Sequence, residues 1–190
     1  MLGMATTWRP EERAAGDYYT TDPTAVQQFL DVAQIDKAAN VWEPACGCGN
    51  ISEVLIDNGY NVLSTDLHNR GYGNSGIDFL LFEPHIQFDI DVIITNPPYS
   101  LANEFILKAM DILQPHGAYY ALMNISYLSG QNRFKAIYDK GYLQAVYIYS
   151  HRIHCYKNGI ITEHSSPVNY AWYEFSPIKN NKPTITWITK

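Results

Sequence analysis

Cysteine is scarce in this chain. Cys46, Cys48 and Cys155 are too few, and odd in number, for a disulfide framework, and such a count suits a reducing cytoplasm. Cys46 and Cys48 are spaced C-x-C rather than C-x-x-C, and no second pair follows. His151, His154, Cys155 and His164 lie close together but read as loop residues, so no metal is expected. No run approaches the length of a membrane span, and the start MLGMATTWRPEERAAGDYY lacks the charged-then-apolar order of a secretory signal. Residues 1–16 read as a polar tail. Charge is also sparse, at 17%, against 46% hydrophobic residues, which excludes a disordered chain and allows a real core. At 190 residues the simplest organisation is a single domain, 1–190. Positive charge is scarcest of all before residue 131: residues 1–130 hold 5 Lys and Arg against 16 Asp and Glu, whereas residues 131–190 hold 8 against 3. That asymmetry points to an anionic partner near the C-terminal third.

What is present is an alternation. Residues 24–38 carry Val26, Phe29, Leu30 and Ala33 at helical spacing after Asp22-Pro23. Short apolar strands are expected at 41–44, 61–66, 91–95, 117–123 and 143–149, with helices at 51–58, 101–113 and 131–140. Strands alternating with helices predict an α/β fold, with a mostly parallel sheet covered on both faces. Two last strands, 168–175 and 184–188, have no helix between them, so an antiparallel C-terminal edge is expected. The Gly-rich piece NRGYGNSG (69–76) is short for a helical crossover, and residues 151–166 form a long polar connection.

Two loops carry chemistry. The first, EPACGCGN, follows a strand and opens a helix, and its glycines let backbone approach a ligand closely. The third glycine of G-x-G-x-x-G is missing, which weakens a dinucleotide reading. Asp66 ends the next strand, where an acid can accept hydrogen bonds from ribose hydroxyls. The second loop is Asn96-Pro97-Pro98-Tyr99, after the apolar run DVIIT, hence at the carboxyl end of a central strand. Pro97 and Pro98 fix two φ angles and remove two donors, and Pro97 pushes Asn96 towards an extended conformation. A stiff loop of carbonyl acceptors beside the Asn96 side-chain oxygen, with a flat ring at Tyr99, suits a planar group bearing an NH2. The same residue types also make ordinary turns.

These motifs resemble those of the S-adenosylmethionine-dependent N6-adenine methyltransferases of the amino-methyltransferase group. EPACGCG looks like the cofactor loop of that family and NPPY like its catalytic tetrapeptide. DYYTTDP (Asp17–Pro23) resembles the element closing over the methionine part, STD (ending in Asp66) the ribose-binding acid, and IDFL the segment at the cofactor adenine. The tail VNYAWYEF…ITWI is similar to the closing strands of compact phage and prophage members. The resemblance implies a Rossmann-like class I methyltransferase with a seven-stranded sheet, in a bacterial or phage-infected cytoplasm. It implies S-adenosylmethionine held by Tyr18, Thr20, Thr21, Glu43, Ala45, Gly47, Gly49, Asp66, Leu67, Asp78 and Phe79, with Asn96, Pro97, Pro98 and Tyr99 as catalytic residues. Two departures stand out: the crossover between Asp66 and Asp78 is short, and no stretch is long enough for a separate target-recognition domain.

The implied acceptor is adenine N6 in DNA. Adenine in RNA and the glutamine amide of a protein such as a release factor are also planar nitrogens, and a catalytically silent nucleic-acid-binding module remains a reading of another class. Arg133, Lys135, Arg152 and Lys157, in the basic third, are the candidate nucleic-acid contacts.

Overall fold

A computed structural model of the chain describes residues 17–83, 89–159 and 168–190. The expected polar tail, His164 and the later part of the 151–166 connection lie outside the described residues. In chain order the elements are β1 (Tyr19–Thr21), α1 (Pro23–Leu30), β2 (Asn40–Glu43), α2 (Asn50–Asp57), β3 (Asn61–Asp66), β4 (Asn74–Ser75), β5 (Val92–Thr95), α3 (Ala102–Ile112), β6 (Ala118–Asn124), α4 (Gln131–Arg133, continued by a wider helical turn over Phe134–Tyr138), β7 (Leu143–Tyr149), β8 (Cys155–Lys157), β9 (Tyr170–Phe175) and β10 (Thr184–Ile188). Among the described residues no helix is long and apolar enough to cross a membrane.

The main sheet runs β10-β7-β9-β6-β5-β2-β3-β4, and β1 and β8 form a separate two-stranded sheet. The α/β fold class therefore stands, with two corrections. The sheet has eight strands rather than seven, because the strap after β3 contributes the two-residue β4, parallel to Thr65–Asp66. The antiparallel strand is not at the edge. β9 is antiparallel to both β6 and β7 and sits between them, while β10 forms the edge parallel to β7. The physical reason lies in the link at 176–183. A chain descending β9 can turn back and rise on the far side of β7 without a crossover helix. Asn180 N–H donates to Gly141 O at 2.8 Å, and Gln144 Nε2 donates to Ile178 O at 2.7 Å, holding this link around the start of β7.

Period-two burial explains the layering. In β5, Ile94 belongs to the side covered by α1 and α2, whereas Ile93 belongs to the side covered by α3. In β6, Leu122 and Tyr120 face the first side, and Tyr119, Ala121 and Met123 the second. Helix α1 starts where the sequence indicates: Asp22 accepts from Thr24 N–H at 2.9 Å, and Pro23 occupies the first turn. It ends at Leu30, well short of residue 38. Asp36 instead bonds Ala38 N–H in a local turn, and Ile35 and Ala39 reach the core from that turn.

The α1 face is joined to the sheet by a chain of buried polar atoms. Phe29 stacks on Trp172 at 4.5 Å, Trp172 Nε1 donates to Tyr149 Oη at 2.8 Å, and Tyr149 Oη donates to Ala25 O at 2.6 Å. Tyr149→Phe leaves a buried indole N–H without its acceptor and takes a second donor from the Ala25 carbonyl, at a cost of about 1–3 kcal/mol. The midpoint of thermal unfolding is expected to fall by roughly 3–10 °C. An unchanged midpoint would show that the hydroxyl bridge contributes nothing.

Candidate active site at the carboxyl end of the sheet

Parallel β2, β3 and β5 deliver Glu43, Asp66 and Thr95 to one end of the sheet, where the loops that follow surround a cleft of about 270 Å3. Of the residues assigned to it from sequence, Tyr18, Thr20, Thr21, Glu43, Ala45, Gly47, Asp66, Leu67, Asp78, Phe79, Asn96 and Pro98 line the cleft, and Gly49, Pro97 and Tyr99 do not.

The glycine loop is built from both sides. Gly47 and Gly49 have φ of 57° and 92°, a region that disfavours other residues. A Cβ on Gly47 would lie 2.9 Å from the Tyr18 ring, and one on Gly49 2.5 Å from the Tyr72 ring. Asp66, buried at the tip of β3, accepts Gly47 N–H at 2.9 Å through Oδ2 and His68 N–H at 2.7 Å through Oδ1. The acid expected to take ribose hydroxyls is thus also the clamp on the glycine loop, and each oxygen keeps a second acceptor site. Glu43 is fully buried. It accepts from Ser52 Oγ, which also bonds Ser64 Oγ, and burial pushes its carboxyl well above the usual range against the opposing pull of Ser52. Asp78 accepts Leu80 N–H at 2.9 Å. Phe79, only 2% exposed, packs edge-on to Trp42 and against Phe105, so most of its ring is core and only part meets the cleft. Leu67 is half exposed at the rim.

Asn96 is held from β1. Its Nδ2 donates to Tyr19 O at 3.0 Å and to Thr21 Oγ1 at 3.3 Å. A backbone carbonyl only accepts, so the nitrogen must face β1 and the orientation of the carboxamide is fixed. Asn96 lines the cleft, and its Oδ1 is left buried with no hydrogen-bond partner among the described residues. Tyr99 turns the other way. Its ring stacks with Tyr19 at 5.5 Å and lies 6.2 Å from Tyr170, and burial raises its phenol well above the ordinary value. The residue as a whole is half-buried, its hydroxyl is buried, and it does not line the cleft.

Several residues at this site were given no role from the sequence. Asp17 Oδ2 accepts Ser100 N–H at 2.8 Å and ties the segment before β1 to the proline loop. Asn50 Nδ2 donates to Thr21 O at 2.8 Å. In the connection read as wholly polar loop, Cys155–Lys157 pairs with Tyr19–Thr21 and backs β1 from outside. Tyr127 Oη donates to Tyr99 O. Among the residues assigned to nucleic acid, Arg133 is engaged inside the protein: Nε donates to Asn103 Oδ1, Nη1 to Tyr127 O and Ser129 O, and the guanidinium lies 4.0 Å over the Tyr127 ring. Lys135, Arg152 and Lys157 are exposed. Among the described residues no group of three or more His, Cys, Asp or Glu could hold a metal.

No family model matches the chain. A stretch of 59 residues is 32% identical to "Ribosomal RNA small subunit methyltransferase A" of Streptococcus agalactiae, covering 31% of this chain and 20% of that protein. A stretch of 55 residues is 34% identical to the protein of the same name from Streptococcus mutans, covering 29% of this chain and 19% of that protein. The match thus spans about a fifth of the length of these curated relatives. Among solved structures, the methyltransferase subunit of a type I restriction-modification system from Streptococcus thermophilus superposes with a TM-score of 0.62 at 14% identity, over 90% of this chain and 47% of that one. A putative RNA methyltransferase from Pyrococcus horikoshii gives 0.61 at 19% identity, over 83% and 85%. A putative class I S-adenosylmethionine-dependent methyltransferase from Listeria monocytogenes gives 0.55 at 13% identity, over 87% and 63%. At these identities the likeness establishes the fold, which is the Rossmann-like fold of class I methyltransferases.

Proposed function

We propose that this chain is an S-adenosylmethionine-dependent methyltransferase whose acceptor is the exocyclic N6 amine of adenine in DNA. The observation that carries the reading is the Asn96 carboxamide, a cleft-lining group locked by β1 with its oxygen desolvated and unpartnered among the described residues. An unpaired buried acceptor is costly, about 1–3 kcal/mol, and an incoming N–H donor relieves that cost. The cleft fits the cofactor in its donor set: buried carboxyls at Glu43 and Asp66, a glycine loop with no room for side chains, and Phe79 as an apolar wall.

S-adenosylmethionine supplies a methyl group on a sulfonium, which leaves as a neutral thioether and needs no acid. The residues of the chain have the task of presenting the amine. Asn96 Oδ1 would accept one of its hydrogens and the Pro97 carbonyl, set behind the cleft lining, the other, which would favour a tetrahedral nitrogen with a free lone pair; after transfer the nitrogen would release one proton to solvent. Pro97 and Pro98 keep competing donors out of the loop. The Tyr99 ring, packed on Tyr19, would have to turn towards the cleft to stack on a base that has left its helix. Thr20, Thr21 and Tyr18 close the cleft from the β1 side. On this reading Lys135, Arg152 and Lys157 contact the acceptor strand, and Arg133 supports the loop at Tyr127.

Adenine in RNA is the second reading, and the partial identity to ribosomal RNA methyltransferases favours it. Offering labelled cofactor with duplex DNA, single-stranded DNA, RNA and a release factor side by side separates these acceptors. Label in DNA is expected; label confined to RNA or protein would overturn the DNA assignment, and no label in any would overturn the enzyme.

Asn96→Ala is expected to lower methyl transfer by about 100-fold or more while cofactor affinity changes by less than about threefold, as for loss of a group acting on the transition state. Asp66→Ala should weaken cofactor binding in calorimetry by about 10- to 100-fold, since it removes acceptors for both ribose and the Gly47 amide. Unchanged affinity would take Asp66 out of the cofactor site. Neutralising Arg152 and Lys157 together should weaken nucleic-acid binding and flatten its salt dependence by roughly two phosphate contacts. An unaltered salt slope would place the acceptor strand elsewhere.

A further inference from the structure

The strap between β3 and β4 is the crossover read from sequence as too short for a helix, and it is fastened at both ends. At the start, Asp66 accepts His68 N–H. Towards the end, the Tyr72 ring lies against Gly49, Cys46 Sγ donates to Tyr72 O at 3.8 Å, and a Cβ on Gly73 would sit 2.6 Å from Ser64 O. Between these fastenings Arg70 reaches back over the cleft. Its guanidinium lies 3.8 Å from the centroid of the Tyr18 ring, and Tyr18 in turn lies on Gly47. Strap and β1 segment thus meet above the glycine loop through a stacked Arg–Tyr pair.

The charge at this place is unlike that of the rest of the cleft. Four carboxyl side chains line it, from Asp17, Glu43, Asp66 and Asp78, and among the described lining residues Arg70 is the only Lys or Arg. Acid walls suit a ligand carrying a sulfonium and an ammonium. They repel the one anionic group on such a ligand, the carboxylate of its amino-acid end. A guanidinium stacked on an aromatic ring keeps its N–H edge free and presents a rigid fork suited to a carboxylate.

Resting on the cofactor reading above, we propose that Arg70 recognises the carboxylate of S-adenosylmethionine, with Tyr18 as the platform that aims it. The glycine strap, with its φ of 87° at Gly71 and 61° at Gly73, lets the backbone bend over the cleft where a helix would carry this side chain away from it. Arg70 then sets the direction of the ligand: carboxylate beneath the Arg–Tyr pair, ribose at Asp66.

The test is calorimetry on the full chain with S-adenosylmethionine and with its decarboxylated analogue, for wild type and for Arg70→Gln, with thermal unfolding to confirm that the variant is folded. Wild type is expected to prefer the carboxylated ligand. Arg70→Gln should weaken that ligand by about tenfold or more and the decarboxylated one by less than about twofold. Equal weakening of both, or of neither, overturns the carboxylate assignment, the first outcome reducing Arg70 to a prop for Tyr18. Loss of DNA binding with cofactor affinity unchanged also overturns it and gives the guanidinium to a phosphate. Wild type binding neither compound sinks the cofactor reading itself, and this inference with it.

Discussion

The site depends on a three-residue strand. Without Tyr19 O and Thr21 Oγ1 from β1 to take the Asn96 NH2 group, nothing described would fix the orientation of the carboxamide. A strand this short has no stability of its own. It is kept in place by pairing with β8, by Asn50 at the start of α2 bonding Thr21 O, and by Asp17 holding Ser100 in the proline loop. The Tyr18 ring packed on Gly47 closes the circuit. The segment therefore touches the glycine loop, the proline loop and the strap at once, and its position couples the two halves of the cleft.

The sheet does the coarser positioning. In a parallel arrangement all strands end on the same side, so the acid of β2, the acid of β3 and the loop after β5 converge without further instruction. Inserting β9 antiparallel between β6 and β7 leaves that edge untouched. It also permits β10 to extend the sheet through a short link.

What could be read from the sequence was what depends on local pattern. Strands 61–66, 143–149 and 184–188 and the apolar face of 101–113 follow from spacing alone, and the two loops at strand ends carry residue types that backbone geometry demands. What could not be read depends on non-local pairing. β1, β4 and β8 are two or three residues long and show no alternation, and each exists because a distant strand offers its edge. The place of β9 was hidden for the same reason: a missing crossover helix shows that successive strands run in opposite directions, not which neighbours they choose. Among site residues, Asp17, Arg70 and Tyr72 lie in stretches that the sequence singles out, but their individual roles gave no signal, because those roles come from the folding of the strap and the β1 segment onto one another. Arg133 had the opposite problem. Its charge suggested an outside partner, whereas its guanidinium is occupied by two carbonyls, Asn103 and a ring.

The bonds around β1 also follow from energetics. A buried acceptor without a partner costs about 1–3 kcal/mol, and the cheapest relief would be for the carboxamide to rotate or for β1 to shift and admit water. Each fastening of β1 raises the cost of such relief. Pairing with β8 fixes its register, Asn50 and Asp17 fix its two ends, and Tyr127, through Tyr99 O, braces the proline loop from the other side. An acceptor kept unsatisfied against this many alternatives is preorganised: the reorganisation that a free asparagine would undergo on meeting an amine has already been completed by folding. The number of otherwise unremarkable hydrogen bonds around so short a strand is what such an arrangement requires.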